Sequence, residues 1–231
     1  MSTLLLLLAC AAHRPPTVED VNEDVPGVSA VHSPVDAQRE SLANTMNTAA
    51  AEAAKAGDFQ TAKAVYARLR DDFADTAAGA KAGRRYDEVA SVGTAAPVIA
   101  VSQWYQGVGD WAANPLTLVL FFETWCQHCG PEMPDVVALQ AMYAPRGLGI
   151  VAFTKVSQTA TDETVRAFIA KHKLTFPVGR ELGGSMSTAF GVYGIPAAAL
   201  VKDGVIVWRG HPTRLTEALI TPYLSGPAAG R

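Results

Sequence analysis

Residues 116–122 read L-T-L-V-L-F-F and break at Glu123-Thr124-Trp125, just before Cys126-Gln127-His128-Cys129. This junction constrains the chain more than any other stretch. A nearly unbroken apolar run of strand length suits a central strand covered on both faces. The segment after it, residues 126–143, carries Val136, Val137, Leu139 and Tyr143 at helical spacing and predicts a helix, with Pro134 expected to kink it. A cysteine at a helix N-terminus meets unpaired N–H groups and the positive end of the helix dipole, and both favour thiolate over thiol. The thiolate is the attacking species in disulfide exchange. Two intervening residues let the second sulfur reach the first across one helical turn. Cys126 is therefore expected to be the exposed nucleophile and Cys129 the more buried resolving thiol.

The other chemistry open to C-x-x-C is half of a zinc site, which needs two more convergent ligands. The third cysteine is Cys10, and His13, His32, His172 and His211 show no ligand spacing. Neither a metal nor an organic cofactor is expected, the working group being the Cys126–Cys129 pair itself.

Downstream, Gly194-Ile195-Pro196 precedes an apolar stretch, 197–202, which Asp203-Gly204 joins to a second one, 205–209. Asp-Gly between apolar runs predicts a hairpin. Trp125-Cys126-x-x-Cys129 followed by Glu132-x-Pro134, with Gly93-x-x-Ala96-Pro97 upstream and Gly194-Ile195-Pro196 downstream, resembles the TlpA/ResA branch of the thioredoxin superfamily. The resemblance runs over about 93–224. It implies a thioredoxin fold, α/β with a central mixed sheet flanked by helices, and a cis bond at Ile195-Pro196 in a loop facing the cysteines. Backbone groups of Ile195 would there pair with an extended client peptide. The remaining elements expected are a loop containing Trp104, Gly107, Gly109, Trp111 and Pro115; a strand at 147–153; a helix at 161–172 capped by Thr161; an extended piece at 176–178; a short helix at 185–190; and a closing helix at 213–223.

Several side chains near the cysteines carry expectations. Trp125 would shield the disulfide and help dock clients. His128, when protonated, would stabilise the Cys126 thiolate and make the pair more oxidising, as in the oxidase DsbA, which this sequence resembles at that position. Glu132 matches a glutamate of the TlpA/ResA branch near the cysteines and would take the Cys129 proton; it also suits the helix dipole. Glu123 stands where that branch usually has a small residue, and is a second acceptor, with Lys155 as its partner. Leu120 stands where thioredoxin has a buried aspartate. Trp208, His211 and Arg214 read as sheet-end and helix-start residues.

Before the catalytic region, residues 39–92 form an alanine-rich helical module. Gly57-Asp58-Phe59 turns one helix into the next, and Ala62, Tyr66, Leu69 and Phe73 follow at three-to-four-residue steps. The pattern resembles one tetratricopeptide unit with a third helix at 76–90. One unit is fewer than the three or so that such arrays need, so a helical hairpin packed on the main domain or on a partner is at least as well supported as a peptide-binding array. Leu7-Leu8-Ala9-Cys10 resembles a bacterial lipobox, implying a lipoprotein signal at 1–9, a lipid on Cys10 and a flexible tether at 10–38 rich in proline and acids. The thioredoxin-like domain would occupy 93–231.

The net charge of −3 gives no basic field for nucleic acid. The expected activity is thiol–disulfide exchange with cysteines of exported proteins, as a reductase of the cytochrome c maturation type. Its partners would be cysteine-containing envelope proteins and a membrane thiol–disulfide electron donor. The expected location is the periplasmic face of a bacterial membrane, with Ala11 after Cys10 favouring the outer one. The rivals are a DsbA-like oxidase, and a scaffolding lipoprotein that works through its helical module. A peroxidase is disfavoured by the resolving cysteine.

Overall fold

The computed structural model describes residues 34–157 and 159–224. The predicted signal, Cys10 and most of the predicted tether lie outside the described residues. Residues 34–38, predicted as the end of the tether, are helical, because α1 (Pro34–Lys55) begins at Pro34. Proline suits a first helical position, where its missing N–H would have no partner. Gly57 adopts φ +84° and Asp58 accepts the Thr61 N–H at 3.0 Å, which starts α2 (Phe59–Asp72) as the Gly-Asp-Phe signal predicts. α3 (Gly79–Ala90) starts three residues later than expected. Thr76 explains the delay: its hydroxyl donates to the Phe73 carbonyl at 2.7 Å and accepts the Gly79 N–H at 3.0 Å, so it closes the preceding turn and caps the helix.

The sheet has six strands in the order β1-β4-β3-β2-β5-β6. β2 (Leu116–Phe121) runs parallel to β3 (Leu148–Thr154) and antiparallel to β5 (Ala197–Lys202). β3 is parallel to β4 (Val178–Glu181), and β5 forms a hairpin with β6 (Val205–Gly210). Asp203 and Gly204, at φ +50° and +75°, make the expected two-residue turn of that hairpin. This mixed sheet between helices is the thioredoxin fold. α4 (Cys129–Tyr143) and α5 (Asp162–His172) follow β2 and β3, and Thr161 caps α5 by accepting the Thr164 N–H at 3.3 Å. α6 (Ser185–Ala189) is short.

Two further elements depart from the sequence expectation. The predicted loop around Trp104 contains an edge strand, β1 (Val101–Gln106), paired antiparallel with β4. Its V-S-Q-W-Y-Q sequence lacks an apolar run because an edge strand needs only partial cover. The predicted closing helix at 213–223 is three short pieces: 3-10 turns at Pro212–Arg214 and Thr221–Tyr223 around α7 (Glu217–Ile220). Leu215 and Thr216 are extended and break the predicted helix, and Pro222 lacks the backbone donor it would need near its end.

Every residue of β2 and β3 is buried. Along β2 the faces alternate. Leu116, Leu118 and Leu120 join the cluster that includes Met133, Phe168 and the buried residues of α1 to α3, while Val119 and Phe121 join Phe153, Met186 and Phe190 on the other face. The helical module thus shares one continuous core with the sheet, through Tyr66, Leu69, Trp208 and Ile220. α3 also presses on the loop before β5: a Cβ on Gly191 would sit 2.6 Å from the Asp87 carbonyl oxygen, and Gly191 takes φ +59°. Among the described residues, no helix is long and apolar enough to cross a membrane.

Candidate active site

The cysteine pair sits where β2 hands over to α4. Phe122 ends the sheet by donating its N–H to the Phe153 carbonyl at 3.1 Å. The chain then turns, the Cys126 N–H reaching the Glu123 carbonyl at 3.1 Å. The helix begins at Cys129, three residues later than predicted, so Cys126 lies in the turn before it. That offset puts the Cys126 sulfur beside the first helix donor: the Cys129 N–H is shared between the Cys126 carbonyl and Cys126 Sγ, each at 3.2 Å. The two cysteines are joined by a disulfide, with Cα atoms 5.4 Å apart. Cys126 keeps 8% of its surface exposed and Cys129 none: Cys126 is the more accessible of the two, but it is buried rather than exposed as expected, because the disulfide and the Ile195 carbonyl cover its sulfur.

Across from the sulfurs runs the loop that carries the Ile195-Pro196 bond, which is cis as expected. The Ile195 carbonyl oxygen lies 3.7 Å from Cys126 Sγ. Between loop and helix tip opens a cleft of about 610 Å³ whose lining includes Glu123, Trp125, Cys126, His128, Lys155 and Ile195. Trp125 is 60% exposed at its rim. His128 is exposed as well, its Nε2 accepting from the Gln127 amide at 3.3 Å.

The structure separates the two candidate carboxylates. Glu123 is buried in the cysteine cleft, with Oε2 lacking any hydrogen-bond partner. Burial pushes its carboxyl up to about 7; the charge and N–H of Lys155 pull it back, and the Glu181 carboxylate adds a further upward push. Lys155 is shared, its Nζ lying 3.6 Å from Glu181, which is itself held by the Ser187 N–H at 2.7 Å and hydroxyl at 2.5 Å. Glu132 lies elsewhere. It lines a separate cavity of about 180 Å³ with Leu118, Val136 and Pro212, and its Oε1 faces His211 Nε2 at 3.6 Å. His211 Nδ1 faces the Thr213 hydroxyl at 2.9 Å and the Thr213 N–H at 3.4 Å, which fixes the ring with Nε2 toward Glu132. From the sequence, His211 carried only a sheet-end or helix-start expectation.

Arg209 was also missed. It is buried at the base of the cis-proline loop, where its guanidinium donates to the carbonyls of Phe190 (2.9 Å), Ala198 (3.2 Å), Gly210 (2.9 Å) and Gly191 (3.4 Å). Glu88 of α3 lies 3.6 Å from it. One residue therefore ties the helical module, the cis-proline loop and β6 together. An isolated arginine in an apolar strand pattern gives no sequence signal of such a role.

Comparison with known proteins fits this geometry. Residues 93–209 match the AhpC/TSA family. The chain belongs to the AhpC/TSA family. Its matched segment in this family runs from the end of α3 through β6 and encloses both the cysteine pair and the cis-proline loop. The thiol-disulfide oxidoreductase ResA of Bacillus thuringiensis is 35% identical over 109 residues, 44% of this chain and 61% of its own length. The thioredoxin-like protein YneN of Bacillus subtilis is 30% identical over 106 residues, 46% of this chain and 61% of its own. The chain thus spans less than two thirds of the curated relatives it matches. Among solved structures, the thioredoxin domain of a thiol-disulfide oxidoreductase from Bacteroides vulgatus superposes with a TM-score of 0.49 at 18% identity, over 57% of this chain and 97% of that one.

Proposed function

We propose that the chain is a thiol–disulfide oxidoreductase that reduces disulfides in exported proteins, of the kind used in cytochrome c maturation. The observation that supports this most is the Cys126–Cys129 pair at the start of α4, facing Ile195-Pro196 across an open cleft. The Cys129 N–H faces Cys126 Sγ in the disulfide, and once the pair is reduced that donor and the helix terminus favour the Cys126 thiolate. That thiolate attacks one sulfur of a client disulfide. A mixed disulfide forms and the second client sulfur leaves as a thiolate, which takes a proton from water. Cys129 then gives up its proton, for which Glu123 in the cleft is the acceptor, burial having raised its carboxyl to about 7. The Cys129 thiolate attacks Cys126 Sγ, the first client sulfur leaves as a thiolate that takes the proton held by Glu123, and the client has gained two electrons and two protons. The protein is left as the disulfide, to be reduced again by a partner thiol donor.

Trp125 at the rim and the Ile195 backbone hold the client segment in this reading. The periplasmic location, a lipid on Cys10 and a membrane-bound electron donor rest on the sequence resemblance, since Cys10 lies outside the described residues. Equilibrating the purified chain against a dithiol redox buffer tests the direction. A potential below about −250 mV supports the reductase, and one near −120 mV, the value of a strong oxidant, supports the oxidase instead.

A further inference from the structure

The cis-proline loop has a second side. Tyr193, Gly194 and Ile195 line the cysteine cleft on one face and, on the other, a cleft of about 430 Å³ between α3 and the end of the sheet. That second cleft is lined by Lys81, Arg84 and Arg85 of α3 and by Arg209, His211 and Arg214 at and beyond the end of β6. Five lysine or arginine side chains face a single carboxylate there, Glu88, in a chain whose net charge is −3. Glu88 is occupied by two of them, Arg85 at 3.4 Å and Arg209 at 3.6 Å. Asp87 is turned to the loop itself, accepting the Tyr193 hydroxyl. Among the described residues, no ion pair reaches Lys81, Arg84 or Arg214; the Arg84 guanidinium lies 5.9 Å over the Tyr193 ring at the boundary between the two clefts.

Resting on the oxidoreductase reading, we infer that this basic cleft is a specificity site for clients, which receives an acidic segment flanking the client cysteine while that cysteine is engaged by Cys126. The shared wall makes the two clefts one path. An extended polypeptide paired along the loop backbone at Ile195 leaves the sulfur on one side and enters the basic cleft on the other. Cations without local partners keep their full charge for a visitor, and a concave wall focuses that field. The helical module thereby acquires a role in the reaction: α3 supplies three of the cations, and the core it shares with the sheet holds them beside the loop.

The test uses the pre-reduced full chain and two synthetic peptides with the same internal disulfide, one flanked by glutamates and the other by lysines, in single-turnover reduction. The expected result is a preference for the acidic peptide of about tenfold or more in kcat/KM at low salt. It should shrink in 1 M salt, where the screening length falls to about 3 Å. The double variant Lys81→Glu/Arg84→Glu reverses the preference, and Lys81→Gln/Arg84→Gln brings the ratio toward one. The ratio is read within each variant, so a general loss of folding does not mimic the effect. Equal handling of both peptides by the unmodified chain, or a preference that survives in the charge-reversed variant, overturns the inference. If the unmodified chain reduces neither peptide, the oxidoreductase reading fails instead. Calorimetric binding of the same peptides then decides the cleft by itself, with the acidic peptide expected to bind about tenfold tighter at low salt and equal affinities contradicting it.

Discussion

Two buried charges flank the cis-proline loop, and they are held in opposite ways. On the inner side Arg209, 2% exposed, spends its donors on four backbone carbonyls and sits beside Glu88. On the cleft side Glu123 is also buried, yet one of its oxygens has no partner and its nearest cation is shared with Glu181. Burial alone would penalise both charges. A charge whose hydrogen-bonding capacity is filled becomes part of the scaffold. One left short of partners stays poised between protonation states and is available for proton transfer. The contrast locates rigidity on one face of the loop and chemistry on the other.

The largest break in this contrast comes from Arg209→Met. Removing the guanidinium strands four carbonyls and the Glu88 carboxylate, and the expected loss is about 3–5 kcal/mol in urea denaturation. A loss under about 1 kcal/mol would mean that Arg209 is not a structural tie.

Glu123→Gln comes next. The Glu123 carboxyl lies at about 7 in the fold against an ordinary 4.5, so between those values the folded state holds a proton that the unfolded chain has released. Stability therefore falls as pH rises through that window and levels off above 7. The variant should flatten this slope and, at pH 8, be more stable than the unmodified chain by about 1–3 kcal/mol. Its rate of disulfide reduction should also lose the inflection near pH 7. An unchanged slope and an unchanged pH–rate profile would place Glu123 with the solvated strand-end residues.

Trp125→Ala sharpens the cleft side, because a 60% exposed ring contributes little to folding. Stability should stay within about 0.5 kcal/mol while KM for a protein client rises about tenfold. The smallest effect is expected from Glu132→Gln. Its carboxylate faces His211 away from the cysteine cleft, so the expected change is under about 1 kcal/mol in stability, with the pH–rate inflection near 7 retained. Loss of that inflection in this variant, rather than in Glu123→Gln, would exchange the roles of the two acids.

What could be read from the sequence follows from which interactions are local. The L-T-L-V-L-F-F run, the cysteine spacing, the Asp203-Gly204 turn, the Gly57-Asp58 cap and the Thr161 cap are each set by neighbours a few residues away, and each takes its expected form. The cis bond at Ile195-Pro196 was legible only through family resemblance. β1 escaped notice because an edge strand needs no apolar run. The predicted closing helix breaks where Leu215 and Thr216 turn extended. Arg209 and His211 were invisible as site residues, since their partners Glu88, Phe190 and Glu132 are distant in sequence and meet them only when the sheet closes. The same distance hid the difference between Glu123 and Glu132. Both stand near the cysteines in sequence, but only the packing of Lys155 and Glu181 on one side and His211 on the other sets them apart.

The most direct test of the account is capture of the reaction intermediate. A Cys129→Ser variant, incubated with a disulfide-containing client and analysed by mass spectrometry without reductant, should accumulate a mixed disulfide on Cys126, while the matching Cys126→Ser variant should accumulate none. Trapping on Cys129 in the Cys126→Ser variant, or no adduct in either, would contradict the assignment of Cys126 as the attacking sulfur at the tip of α4.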